Sequence, residues 1–218
     1  MSGEGHGEAG YPRLAAQPEA YLVRQLEAFA DGRRKSAVME PLARSLTAEE
    51  RRRLAREFAA KTPSRTATAA ASHSRRGEAL AHIGDAGLRL QACQNCHGPE
   101  GRGQAPYGPS LAGLPPQYLR GELAAWRSGA RASDPSGQMP LVAKALREPD
   151  IEAVVAYYAG LPVPPPLAPE PLPRYSRTQP PTRHDVGFEK GKGSDAQGGA
   201  GTTGGAQGPA SGEARRPR

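Results

Sequence analysis

The 218-residue chain carries 27 glycines and 23 prolines, with 37% hydrophobic and only 5% aromatic residues, so one well-filled core running throughout is excluded and part of it should be linker or disorder. The formal charge of +7 is spread as +3 over residues 1–72, +1 over 73–161 and +3 over 162–218. Its densest run, Arg51-Arg52-Arg53 with Arg56, alternates with Glu49, Glu50 and Glu57, as a solvated helix face does and a nucleic-acid stripe does not.

In chain order, the first element expected is a helix over Glu19–Ala30, with apolar residues at three- and four-residue spacing and Gly32 after its end, as a left-handed cap favours. Met39 follows in what reads as a polar loop. Thr47-Ala48-Glu49-Glu50 fits a capping box opening a helix to about Ala60. A second helix of the first kind is expected over Gln117–Ser128, ahead of Gly129. Next comes the loop-like Pro135-Ser136-Gly137-Gln138-Met139-Pro140, and then a helix from Pro149 to about Tyr158. No period-two strand is evident, and the fold class is all-α. The longest apolar run free of charge and proline, Ala153 to Leu161, falls far short of the roughly 20 residues that cross a bilayer. Residues 162–218 hold 11 Pro and 10 Gly, and everything after about Pro173 reads as a disordered Pro/Gly-rich tail.

The elements repeat. At an offset of 97, Tyr11-Pro12-Arg13-Leu14 faces Gly108-Pro109-Ser110-Leu111, Tyr21-Leu22 faces Tyr118-Leu119, Leu26 faces Leu123, and Phe29 faces Trp126. A three-residue insertion then moves the offset to 100, where Met39 faces Met139 and Phe58 faces Tyr158. The expected division is residues 1–72, residues 73–161 and a tail at 162–218, because a period of this kind marks a duplicated unit.

The chemistry sits in Cys93-Gln94-Asn95-Cys96-His97. Two thiols one helical turn apart can add across two vinyl groups of a haem, and the adjacent imidazole then faces the iron. A structural zinc site needs about four ligands, and His6, His73, His82 and His184 have no spacing that would supply them. A redox dithiol expects a strand–helix setting, and a disulfide closing so small a loop would stabilise little. A sixth ligand that stays bound in both oxidation states suits an electron carrier, and a thioether also raises the potential. The two internal methionines, Met39 and Met139, fall at the same point of the repeat.

Cys93 to His97, Gly98, Gly101-Arg102-Gly103, Pro109-Ser110-Leu111 and Gln138-Met139-Pro140 together resemble a class I c-type cytochrome. The doubled arrangement over about residues 3–161 resembles the diheme cytochromes of the c-four type. The resemblance implies Cys93 and Cys96 as thioether sites, His97 as proximal ligand, Met139 as distal ligand, and Met39 as distal ligand of a first haem. It further implies a periplasmic electron carrier rather than an enzyme. Its redox partners would be a terminal oxidase, a quinol–cytochrome c reductase or a periplasmic dehydrogenase. Such a carrier binds no nucleic acid, and its contact with membranes is at most peripheral. Tyr118, Leu119, Leu123 and Trp126 would back the second pocket, and Tyr21, Leu22, Leu26 and Phe29 the first. The alternative is a cytochrome subunit held permanently by a periplasmic dehydrogenase or terminal oxidase. A haem enzyme or ligand sensor would need an open sixth position, which Met139 argues against.

The first unit departs from this pattern because it has no Cys-X-X-Cys-His. Subtracting the offset puts the missing motif just ahead of Met1, and Gly3-Glu4-Gly5 resembles Gly101-Arg102-Gly103 shifted by one. The expectation is one haem c from this sequence, and two if an upstream motif exists. Met1 would then be an internal methionine, and the export signal, absent from residues 1–6, would have been lost with the upstream segment.

Overall fold

The computed structural model describes residues 2–63 and 74–167. The expected disorder of the tail, together with His73 and His184, lies outside the described residues. All described residues belong to one unit, Met1–Pro171. The helices are α1 (Glu19–Ala30), α2 (Met39–Ser45), α3 (Ala48–Ala60), α4 (Arg75–His82), α5 (Gln94–His97), α6 (Pro116–Ser128), α7 (Gln138–Ala145) and α8 (Glu148–Gly160).

Helix α1 buries Tyr21, Leu22, Gln25, Ala28 and Phe29, a single stripe at helical spacing. It packs against α2 and α3, where Tyr21, Leu22 and Ala55 form a small core flanked by Val23, Phe58 and Ala59. Helix α3 opens with the expected capping box. The Thr47 hydroxyl accepts from Glu50 N–H at 3.2 Å, and the Glu50 carboxylate accepts from Thr47 N–H at 2.7 Å. Gly32 and Gly129 take φ of +80° and +81°, and Gly129 is the left-handed cap of α6.

The second group, α4 with α6, α7 and α8, has a much larger core that includes Leu80, Leu114, Leu119, Leu123, Trp126, Ile151, Val154, Val155, Tyr157 and Tyr158. At its centre α4 crosses α8 at backbone distance. A Cβ on Gly77 would stand 2.1 Å from the Ala153 carbonyl oxygen and 2.8 Å from the Tyr157 Cβ, so only glycine permits this approach. Behind the α8 N-terminus, the buried Asp150 accepts hydrogen bonds from Arg76 Nε at 2.8 Å and Arg147 Nε at 2.7 Å.

Two expectations need correction. A short antiparallel hairpin, β1 (Gly84–Asp85) with β2 (Leu90–Gln91), is present, Gly84 opposite Gln91 and Asp85 opposite Leu90. At two residues each, the strands are too short to show alternation. Nor do the methionines lie in loops: Met39 opens α2 and Met139 is the second residue of α7. Pro140 is tolerated there because a first-turn residue has no intrahelical N–H bond to lose.

The repeat is visible in the backbone hydrogen bonds. Gly3 O accepts from Leu14 and Ala15 at 2.8 and 3.0 Å, and Gly101 O accepts from Leu111 and Ala112 at 2.8 and 3.1 Å. His6 bridges Tyr11 as Gln104 bridges Gly108. Ala16 N donates to Phe58 O at 3.1 Å, as Gly113 N does to Tyr158 O at 2.9 Å.

Candidate functional site

Residues 93–97 leave β2 and turn immediately into α5, with Cys93 as its first flanking residue. Cys93 N–H donates to Leu80 O at 3.3 Å, His97 N–H to Cys93 O at 3.0 Å, and Gly103 N–H to His97 O at 2.8 Å. The motif is therefore tied to α4 behind it and to the following loop ahead of it. Gly108 completes the fit, since a Cβ there would lie 1.9 Å from Cys96 O.

His97 is buried, and its Nδ1 lies 3.0 Å from Pro109 O. A carbonyl only accepts, so Nδ1 carries the hydrogen and Nε2 keeps its lone pair for a metal. Burial pushes the imidazole pKa below its ordinary value, with the positive Arg131 acting in the same direction, while the Pro109 bond and Asp134 oppose it. The ring is thus held in the neutral form that iron ligation requires.

Both thiols are free; Cys93 is half-buried and Cys96 exposed. Cys93 Sγ lies 3.4 Å from Leu80 O, and burial raises its pKa, which keeps it a thiol. The buried hydroxyl of Tyr158 lies beside this thiol.

Cys93, Met139 and Tyr118 all pack on the one core that contains Leu119, Leu123 and Trp126. The structure thus brings together the expected second-pocket residues, one of the two cysteines expected to form thioethers and the expected distal methionine. Met139 is half-buried, and its N–H donates to Asp134 Oδ2 at 2.8 Å. Burial would raise the Asp134 pKa, but bonds from Met139, Ser136 and Gln138 hold it below the ordinary carboxylate value. In the first group Tyr21, Leu22 and Phe29 are buried and Leu26 and Met39 half-buried. The chain has only two cysteines, so that group has no counterpart of Cys93 and Cys96.

The sequence reasoning missed a polar cluster joining the two groups. Arg34 and Arg131, equivalent at the offset of 97, form an isolated antiparallel bridge, and both are buried. Their guanidinium groups share the carboxylate of Glu122, Arg34 through one oxygen and Arg131 through the other at 2.5 Å. They also share Gln25 Oε1, at 3.1 Å from Arg34 and 2.9 Å from Arg131. Tyr118 OH accepts from Arg34 at 3.0 Å and Tyr21 OH from Arg131 at 3.3 Å. Arg13, 3% exposed, donates to Ser110 Oγ at 2.9 Å and leaves its Nε unpartnered. Burial lowers its pKa to about 10, against the opposing pull of Glu4. The identical Arg at equivalent positions was the signal in the sequence that could have revealed this cluster.

The donor set fits a covalently held haem: a neutral imidazole with one free nitrogen, two free thiols beside it, a methionine on the same apolar core, and a buried guanidinium excess of the kind acidic side groups neutralise. When bound, haem supplies the iron that cycles between ferric and ferrous. The protein's own contribution is a rigid, apolar surround that restrains His97 and Met139.

Comparison with known proteins agrees with this geometry. The Cytochrome c family model matches residues 84–161. A thiosulfate dehydrogenase electron acceptor from Thiomonas intermedia is 39% identical over 169 residues, 75% of this chain and 76% of that protein. Cytochrome c4 from Thiocapsa roseopersicina is 36% identical over 72% of this chain and 84% of its own length. Among solved structures, thiosulfate dehydrogenase (TsdBA) from Marichromatium purpuratum superposes with a TM-score of 0.68 at 36% identity, covering 88% of this chain. The present chain spans 39% of that structure. The chain belongs to the class I c-type cytochromes, and is an electron carrier with covalently bound haem c rather than an enzyme.

Proposed function

We propose that this chain is a periplasmic carrier built as two tandem cytochrome lobes, which accepts electrons from a thiosulfate-oxidising dehydrogenase. The observation that carries the redox site is His97, its Nδ1 bonded to Pro109 O at 3.0 Å, with two free thiols in the preceding four residues. In this reading Cys93 and Cys96 form the thioethers, His97 is the proximal ligand and Met139 the distal one. The choice of partner is supported by the Thiomonas relative, whose name makes it the electron acceptor of that dehydrogenase.

The two-lobe reading rests on the matching hydrogen bonds of Gly3 and Gly101 and on the two separate cores. Met39 would be the distal ligand of a first haem, whose Cys-X-X-Cys-His would come from sequence ahead of Gly3. Haem content by pyridine haemochrome, with intact mass, on protein from the native periplasm tests this. Two haems and a mass above that of this chain are expected, whereas one haem at the mass of this chain would mean a monohaem protein with a haemless first lobe. Rapid mixing of the ferric protein with a thiosulfate dehydrogenase and thiosulfate tests the partner, and reduction no faster than in the absence of dehydrogenase would refute it.

A second reading is a permanently attached cytochrome subunit. It is favoured by the Marichromatium structure, a larger chain of which this one matches 39%. Co-purification of a large subunit at stoichiometric yield would select it over a free carrier.

A further inference from the structure

Met39 and Met139 occupy matching points of the repeat, yet the groups that hold their backbones differ in charge. Met139 N–H donates to Asp134 Oδ2 at 2.8 Å, and Asp134 Oδ1 accepts from Ser136 N–H at 3.0 Å and Ser136 Oγ at 2.7 Å. One carboxylate therefore pins the turn over residues 134–139 at three points. Met39 N–H instead donates to a neutral hydroxyl, Ser36 Oγ, at 3.1 Å. Ser36 N–H in turn donates to Glu40 Oε1 at 3.0 Å, and the other Glu40 oxygen pairs with Arg44 at 2.8 Å. The Glu40 carboxylate, next to Met39 in the chain, is thus ion-paired. Among the described residues Asp134 has no cationic partner within ion-pair distance.

Charge decides what that difference does. The ferric state carries one positive charge more than the ferrous, so an unpaired carboxylate beside a ligand favours the ferric form. A thioether ligand pulls the other way, toward ferrous. Asp134 is half-buried, where its field is screened less than that of a fully exposed charge.

We propose that Asp134 is a positioning residue for the redox site: its hydrogen bonds fix the turn that presents Met139, and its uncompensated charge lowers the potential of the iron that Met139 serves. This rests on the reading of Met139 as the sixth ligand, which the test examines separately.

The experiment compares haem-loaded full-length wild type with Asp134→Asn, Asp134→Ala and Met139→Ala. It reads the far-red sulfur-to-ferric-iron charge-transfer band, the midpoint potential by spectroelectrochemistry, and the urea concentration at which the band is lost. Asn keeps its one acceptor oxygen for Met139 N–H, at the expense of the Ser136 N–H bond, and removes the charge, so the band should persist while the ferrous-to-ferric ratio at fixed applied potential rises roughly tenfold. Ala removes both, so the band should disappear at lower urea than in wild type, and the ferrous protein should bind carbon monoxide. An Asn variant with unchanged potential, or an Ala variant with the band as resistant to urea as wild type, overturns the proposal. A band in Met139→Ala as strong per protein as in wild type overturns the ligand reading itself, and with it the role of Asp134.

Discussion

Glu122 is the one carboxylate between two buried guanidinium groups, which makes Glu122→Gln an informative perturbation of the join between the helix groups. Each carboxylate oxygen serves one arginine, and the side chains of Arg34 and Arg131 are 9% and 7% exposed. A glutamine amide has a single acceptor oxygen, so one guanidinium would face an NH2 donor and both would lose their counter-charge. Breaking a fully buried pair from one side costs about 3–5 kcal/mol. Glu122 is itself 20% exposed, and Gln25 Oε1 still reaches both arginines. The expected loss is therefore smaller, about 2–3 kcal/mol. Urea unfolding followed by far-UV circular dichroism measures it, with the urea dependence fitted in both proteins so that a change in cooperativity is separated from one in stability. A loss under about 0.5 kcal/mol with unchanged cooperativity would refute the view that this carboxylate holds the arginines in place.

Gly77→Ala should force α4 and α8 apart, since the new Cβ would stand 2.1 Å from Ala153 O. About 2–3 kcal/mol should be lost, read as a lower melting temperature, and an unchanged melt would mean the crossing is looser than described. Asp150 is lowered from 3.8 to about 2, chiefly by the Arg147 hydrogen bond, against burial and with help from Arg76. A depressed carboxylate stabilises the fold fully above its unfolded pKa and loses that contribution as pH falls through its folded one. Stability worth about 2 kcal/mol should therefore vanish between pH 4 and pH 2, and Asp150→Asn should flatten that part of the acid profile. Hydrogen exchange should be faster in residues 2–63 than in 77–161, because the first core buries three hydrophobic residues and the second fifteen. Equal protection would count against that ordering.

What could be read from the sequence was whatever is settled locally. Helix α1 has the expected bounds because its stripe is regular and Gly32 stops it, and α3 begins where Thr47 and Glu50 can cap each other. The haem motif was legible because its five residues are contiguous. The hairpin at Gly84 and Leu90 was invisible, since two residues per strand leave no pattern to detect. The methionine turns read as loops because Pro, Ser and Gly dominate residues 135–137, whereas helix α7 is set by Asp134 accepting the Met139 N–H. Tyr158 beside Cys93, dozens of residues away in the chain, and Pro109 O beside His97, 12 residues away, are contacts that only the fold creates.

The bridge between Arg34 and Arg131 also bears on the history open to such a chain. Copies that arise by duplication often remain separable, each able to be cut out, shuffled or lost. Here the second half supplies the glutamate that neutralises the first half's arginine, and the first half supplies the glutamine and tyrosine that cradle the second's. Gln25 and Glu122 stand at the offset of 97 yet carry different side chains. The dependence runs both ways but unequally: excising the second half would take from Arg34 its counter-charge, and excising the first would take from Arg131 two of its hydrogen-bond partners, so that recombination at the joint would be penalised even where each piece keeps its own helices.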